Sequence, residues 1–494
     1  MSSPTTPQSL DTDTIVAIAS APGRGGVGVV RLSGPSALHI ARTLCGKTEP
    51  LESRAAVFCS FRTPAGEALD SGLCLCFPGP ASFTGEDVAE LQGHGSPVVL
   101  DRIVQAAIAA GARIARPGEF SERAYLNGKM DLVQAEAVAD LINAASAESA
   151  QAAVRSLQGD FSALMNQLSA DLVALRVQVE AAIDFPDEDI ELLSAPGVTS
   201  ALADLITAVG RIVERTRSGV RLTEGARVVL VGAPNVGKSS VLNSLCGEDR
   251  AIVTPVAGTT RDLVREQVLL EGIPVELVDT AGMRETSDLI EAEGVRRAQT
   301  AAQDADLIVA VHDLSAPETL EFLSQWLLSE RSVQPAQFAA TPALVIVANK
   351  LDCQDASAAG YSSESSSHGI ASSKAMDKLA LTYSSSTLRV SAKTGEGMQQ
   401  LNEHLVGLLN GSSMAAGEGI SGTDVFSARS RHLHALKECL AGLMEAQAGI
   451  QSQLGAELVA EHLRHAQAEL GSVCGEVTTD ELLGEIFGSF CIGK

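Results

Sequence analysis

Residues 227–245 read RVVLVGAPNVGKSSVLNSL. A run of β-branched and aliphatic residues breaks into a turn bounded by Gly232 and Gly237, then resumes with helical spacing. Gly232–Ser239 fits G-x-x-x-x-G-K-S in the context that gives the pattern meaning, after a strand and before a helix. Glycines let the backbone wrap closely, so that loop N–H groups and the helix N-terminus can hold phosphate oxygens. Lys238 is placed to reach the β- and γ-phosphates, and the Ser239 hydroxyl to bind Mg²⁺. Asn235, Val236, Gly237 and Ser240 complete the expected nucleotide loop. An α/β domain follows from this stretch alone.

Reading outward, companion motifs appear in order. TPVAGTT supplies Thr254, Pro255, Val256, Ala257, Gly258, Thr259 and Thr260, with Thr260 assigned as the second Mg²⁺ ligand. The strand-like PVELV runs into DTAG, giving Asp279, Thr280, Ala281 and Gly282. ALVIVA precedes NKLD (Asn349, Lys350, Leu351, Asp352), and LRV precedes SAK (Ser391, Ala392, Lys393). The Asp352 carboxylate can accept from the N1–H and 2-amino groups of guanine, which adenine does not offer together. The set therefore specifies GTP. Met283 follows DTAG where many GTPases carry a water-orienting Gln, and a thioether is a poor substitute.

The chain has 494 residues, enough for roughly three domains. TIVAIAS, VGVVRLS, AAVFCSF, SGLCLCFPG and DVAELQG have strand composition, and the stretch from Pro97 to Ala110 reads as a helix. Residues 1–131 are thus expected to form an α+β domain. Residues 132–220 turn Ala-, Leu- and Gln-rich with helical spacing, and helical patterning returns in 411–494 after a Gly/Ser-rich linker. The predicted architecture is multidomain α/β and α+β: a discontinuous helical domain with a P-loop domain, residues 221–410, inserted in it. Residues 353–387 are Ser- and Ala-rich and read as a surface insertion.

Aromatic residues make up 3% of the chain, so its cores must be largely aliphatic. A net charge of −25 argues against sequence-blind nucleic-acid binding through the overall field, while leaving room for a local basic groove or a basic partner. The nine cysteines lack paired metal spacing; Cys74 and Cys76 share a strand face and read as small buried side chains. No apolar run reaches the ~18–20 residues needed to span a bilayer, and a cytoplasmic location without membrane contact is expected.

Other stretches sharpen the picture. PGRGGVGVVRLSG, SFTGEDVAELQGHG, RPGEFSERAYLNGKMDLVQAEAVADLI, VEAAIDFPDE and the terminal FCIGK, together with the ordered motifs, resemble the MnmE (TrmE) family of tRNA modification GTPases from about Asp13 to Lys494. The Ser-rich insertion and the first residues depart from it.

The resemblance implies a Ras-like P-loop G domain that uses K⁺ where other GTPases use an arginine finger. Asn235 would ligate K⁺, with the carbonyls of Thr254, Val256 and Thr259 completing the shell; taken alone, Asn235 reads equally as a turn residue. Glu291 would position the attacking water, joining Lys238 as the catalytic pair, and its neighbour Glu293 is the residue most easily mistaken for it. The N-terminal domain would dimerise and bind 5-formyl- or methylene-tetrahydrofolate through Arg31, Glu90, Lys129 and Lys494. Cys491 would lie near the one-carbon unit, as a nucleophile or as a plain buried thiol. The implied reaction adds a carboxymethylaminomethyl or aminomethyl group to C5 of the wobble uridine of tRNA. The homodimer would act there with the flavoprotein MnmG, as a heterotetramer. The alternative is a regulatory GTPase switch in ribosome assembly or signalling, but no KH-type loop or basic tail is evident.

Overall fold

The computed structural model describes residues 13–184, 196–246, 265–270, 273–279, 305–316, 318–320, 322–323, 343–353, 386–409, 425–452, 455–475, 480–490 and 493. The chain divides into two compact units. One comprises Met1–Ala139, Ser156–Leu205 and Ala441–Lys494, the other Asp140–Arg155 and Ile206–Leu440.

The first unit holds a six-stranded sheet in the order β3-β4-β5-β2-β1-β6. Its strands are β1 (Ile15–Ile18), β2 (Gly25–Ser33), β3 (Val57–Arg62), β4 (Ala68–Phe77), β5 (Val88–Gly95) and β6 (Arg113–Ile114). All neighbours pair antiparallel except β1 with β6. In β2 the two-residue period decides which side chains go inside: Val30 and Leu32 are buried, while Val29 and Arg31 point to the other face. The helices Ala37–Leu44 and Pro97–Ala109 cover the buried face, where Ile40, Leu44, Leu100 and Ile103 join Leu32 and Leu91. Cys45, Cys59, Cys74 and Cys76 lie in the same core as unbonded thiols. Among the described residues, no group of three or more His, Cys, Asp or Glu is arranged to hold a metal ion.

The same unit contains the helix pair Asp160–Asp184 and Ala456–Cys474. On the first helix Phe161, Met165, Leu168, Leu172, Leu175 and Val179 are buried. This alternating four-and-three spacing keeps one stripe against a neighbouring helix. The stretch QAEAVADLINAASAESAQAAVRSLQ reads as continuous helix, but the structure breaks it into Leu132–Asn143 and Ala147–Gln158. The cause is a reciprocal serine cap. The Ser149 N–H donates to Ser146 Oγ at 3.1 Å and the Ser146 N–H to Ser149 Oγ at 3.1 Å, satisfying donors that a new helix start leaves open.

The second unit holds another six-stranded sheet, in the order β12-β11-β10-β7-β9-β8. Its strands are β7 (Ala226–Val231), β8 (Arg265–Leu270), β9 (Ile273–Asp279), β10 (Leu307–Asp313), β11 (Ala343–Asn349) and β12 (Ser386–Arg389). Only β8 runs antiparallel to its neighbour. β10 is buried along its whole length, as a central parallel strand covered on both faces must be. The core beneath is aliphatic, built from residues such as Val228, Leu230, Leu277, Val309, Val345 and Leu401. From β7 the chain first builds the β9–β8 side and then crosses to β10. The carboxyl end of β7 is therefore a topological switch point, where open parallel sheets bind ligands. Among the described residues no helix is long and apolar enough to cross a membrane.

Candidate functional site

Gly232–Ser239 forms the loop at that switch point, between β7 and the helix Lys238–Cys246. Close packing explains its glycines. A Cβ on Gly232 would lie 2.2 Å from the Val311 carbonyl oxygen, and one on Gly237 would lie 2.4 Å from Asn349 Nδ2. Both glycines also have positive φ, as does Asn235 at 61°, a conformation that Asn tolerates better than most residues. Lys238 is buried, and its ammonium donates to the carbonyls of Gly232 at 2.8 Å and Ala233 at 2.9 Å. The loop thus folds round its own cation, and phosphate oxygens are the natural replacements for those carbonyls. Ser239 and Ser240 are exposed on the first turn of the helix.

Asn349 joins this loop to the NKLD and SAK segments. Its Nδ2 donates to the Val236 carbonyl at 3.0 Å, and its Oδ1 accepts from the Ala392 N–H at 3.1 Å. Ser391 Oγ donates to Asp352 Oδ1 at 2.6 Å, and the Lys393 ammonium stands 3.9 Å from Asp352 Oδ2. The Ser391 bond holds the Asp352 carboxyl below the usual carboxylate range, with Lys393 adding to it. An ionised, oriented acceptor is what a guanine edge requires. The structure therefore brings NKLD, SAK and the phosphate loop into one connected cluster. Asp279 ends β9, though its side chain lies outside the described residues. Thr254 to Thr260, Thr280 to Gly282, Met283, Glu291, Glu293, Cys491 and Lys494 also lie outside them.

In the N-terminal domain Arg31 and Glu90 face each other across β2 and β5, paired at 2.9 Å. The Arg31 guanidinium sits 5.5 Å from the Phe83 ring and 5.8 Å from the Phe120 ring. Lys129 donates instead to the Pro80 carbonyl at 3.0 Å, in the segment that also carries Phe83. Gly493 packs against the end of β1: a Cβ there would meet the Ile18 carbonyl oxygen at 2.2 Å. Ile18 pairs with Val30, next to Arg31.

Sequence reasoning missed the support beneath this face. Glu119 and Arg123, both from GEFSERA, are buried and paired at 3.0 Å. Arg113 also bonds Glu119, while Arg123 reaches Asp13 at 2.8 Å and Glu86 at 3.1 Å. Burial, which alone would raise the Glu119 pKa, is outweighed by Arg113, the Arg116 N–H and Arg123, so its carboxyl sits below the ordinary value. The available signal was the spacing Glu119-x-x-x-Arg123, which places both groups on one helix face.

Comparison with known proteins agrees with these motifs. The family description "MnmE helical domain" matches residues 132–491, and "GTP-binding protein TrmE N-terminus" matches residues 14–129. A curated tRNA modification GTPase MnmE of Legionella pneumophila (strain Corby) is 46% identical over 98% of this chain and 99% of its own length. The protein of that name from Pseudomonas aeruginosa (strain UCBPP-PA14) is 45% identical over 98% of this chain and 99% of its own. The one from Neisseria meningitidis serogroup C (strain 053442) is 45% identical over 97% of this chain and 99% of its own. With both family descriptions and relatives of this closeness along nearly the whole length, the chain belongs to the MnmE family of tRNA modification GTPases.

Proposed function

We propose that the chain is a K⁺-stimulated GTP hydrolase that takes part in modifying C5 of the wobble uridine of tRNA. The observation that carries the GTPase reading is Asn349, whose side chain ties the phosphate loop to the SAK loop beside an oriented Asp352. GTP is the substrate of the G domain, the Ras-like α/β unit within residues 221–410. Asn235, left-handed and exposed at the crown of the loop, offers a neutral amide oxygen of the kind a large monovalent cation takes. Ser239, on the first turn of the helix, offers the hydroxyl that suits Mg²⁺. When bound, the two cations supply positive charge at the β- and γ-phosphate oxygens. Thr260, the carbonyls of Thr254, Val256 and Thr259, and the water-positioning Glu291 belong to the same proposal. Lys238 holds phosphate, and Asn349 and Asp352 fix the base.

The N-terminal domain is proposed to bind a one-carbon tetrahydrofolate in a homodimer. The Arg31–Glu90 pair supports this, offering an anion-binding group and a carboxylate for a pterin edge, with Lys129 on the adjoining segment. The position of Gly493 at the end of β1 supports a contribution from Cys491 and Lys494. The carbon would enter the tRNA in concert with the flavoprotein MnmG in a cytoplasmic heterotetramer. GTP hydrolysis would drive conformational change and leave the bond chemistry to folate and flavin. The deciding measurement is GTP turnover in K⁺ and in Na⁺ at equal ionic strength. Turnover should be much faster in K⁺, and Asn235→Ala should abolish that difference while GTP still binds. Equal rates for the unaltered chain would refute the cation assignment.

A further inference from the structure

The base-reading loop rests on a carboxylate outside every motif the sequence singles out. Asp313 is the last residue of β10, opposite Asn349 in the parallel register with β11. Its side chain is buried, and Oδ2 lies 2.6 Å from the Lys350 ammonium. Oδ1 accepts from the Ser315 N–H at 2.9 Å and from Ser315 Oγ at 2.6 Å, so both oxygens are fixed. The surrounding backbone is also pinned: the Leu314 N–H donates to the Asn349 carbonyl at 3.0 Å, and Thr319 Oγ1 accepts from the Asp313 N–H at 3.0 Å.

What Asp313 holds is unusual. Lys350 has φ 66°, a left-handed conformation that a long side chain rarely adopts unless its surroundings impose it. That reversal sends the chain from β11 into the short helical turn Leu351–Cys353, which carries Asp352. Asn349 on one side is tied to the phosphate loop, and Asp352 on the other is tied to Ser391. Between these fixed points, the side-chain anchor on Lys350 is Asp313.

We propose that Asp313 is a positioning residue for guanine selection, acting through Lys350 to hold the reversal that presents Asp352 to the base. The inference rests on the GTP-binding reading above. Burial alone would raise the Asp313 pKa, but Lys350 and Ser315 keep it below the ordinary value, so the anchor is ionised at neutral pH. Loss of the anchor acts on Asp352, which accepts from N1–H and the 2-amino group. It therefore weakens guanine more than hypoxanthine, which lacks the 2-amino group.

The experiment uses the full-length chain, with a fluorescent GDP analogue displaced by GDP or by IDP. Asp313→Asn keeps the shape and an acceptor for Ser315 while removing the charge. It should weaken GDP about tenfold, the scale of one charge-assisted bond, and weaken IDP less, narrowing the GDP/IDP ratio. Lys350→Gln should narrow the ratio in the same way even if Asp313→Asn fails to fold. The double variant should be no weaker than Lys350→Gln, because both changes break one link. A GDP/IDP ratio unchanged in either single variant would overturn the proposal, as would losses that multiply in the double. If the unaltered chain binds neither nucleotide, the GTP-binding reading itself falls and takes the inference with it.

Discussion

Glu119 and Arg123 lie buried in the N-terminal domain, whereas Asn235, Lys350 and Asp352 lie at the carboxyl rim of the second sheet. Both groups are rich in charge, but their partners differ in kind. The N-terminal carboxylates and guanidiniums close on one another, with Asp13, Glu86, Glu119, Arg113 and Arg123 forming a network. At the rim, Lys238 bonds carbonyls of its own loop, and Asp352 is held by the Ser391 hydroxyl on one oxygen with the exposed Lys393 ammonium near the other. One arrangement fixes a shape, and the other holds places that a ligand can take over. Charge in a sequence therefore indicates a ligand site only where its partners can be exchanged.

The largest expected effect tests the closed network. Glu119→Gln removes the buried carboxylate that Arg113 and Arg123 share, and although Asp13 and Glu86 still face these guanidiniums, breaking a buried ion pair typically costs about 3–5 kcal/mol. Thermal unfolding should show a drop on that scale, with the GTPase of the surviving folded protein little altered. A melting temperature equal to that of the unaltered chain would erase the contrast between the two regions.

Next comes the exchangeable side. Glu291→Ala should lower kcat about 10²–10³-fold, as loss of a positioning group does, with little change in nucleotide affinity. Its contact would form only in the closed state, so ground-state binding does not use it. Single-turnover hydrolysis equal to wild type in K⁺ would move the water-positioning role to another switch residue.

Acid should separate the two regions more gently. The folded pKa of Glu119 is depressed, so its contribution is complete above the unfolded value of 4.5 and is lost as pH falls through the folded value. The stability difference between the unaltered chain and Glu119→Gln should be constant between about pH 5 and 7 and shrink as pH falls below that. The smallest effect belongs to Met283→Leu. If this residue is only an apolar plug beside the γ-phosphate, K⁺-dependent turnover stays within about threefold, since volume-conserving swaps are well tolerated.

The parts of this molecule legible in the sequence are those where backbone geometry demands a residue type. Gly232 and Gly237 announce the loop because no side chain fits beside Val311 and Asn349. Asn349 and Asp352 are legible because they end and follow β11, and Ser391 because it follows β12. The helix break at Ser146 was hidden, because alanine-rich flanks on both sides have strong helical propensity and the paired serine caps are short-range and subtle. The network around Glu119 was hidden for another reason. Asp13 and Arg113 pair with GEFSERA through strand neighbours set only by the sheet order. Asp313 combined both difficulties, a lone carboxylate whose significance depends on Lys350 having a left-handed backbone.

Gly237 carries one more consequence. With only 2.4 Å between its ideal Cβ position and the Asn349 amide, any side chain at this point of the Gly232–Ser239 loop must push on the residue that ties this loop to the SAK segment, the proposed base pocket. On the proposed reading, a lesion entered at the phosphate end should be read out as relaxed base discrimination. Mutational scans of the two loops should show epistasis between positions 237 and 349, as expected if the two loops respond as a single mechanical part with two ends.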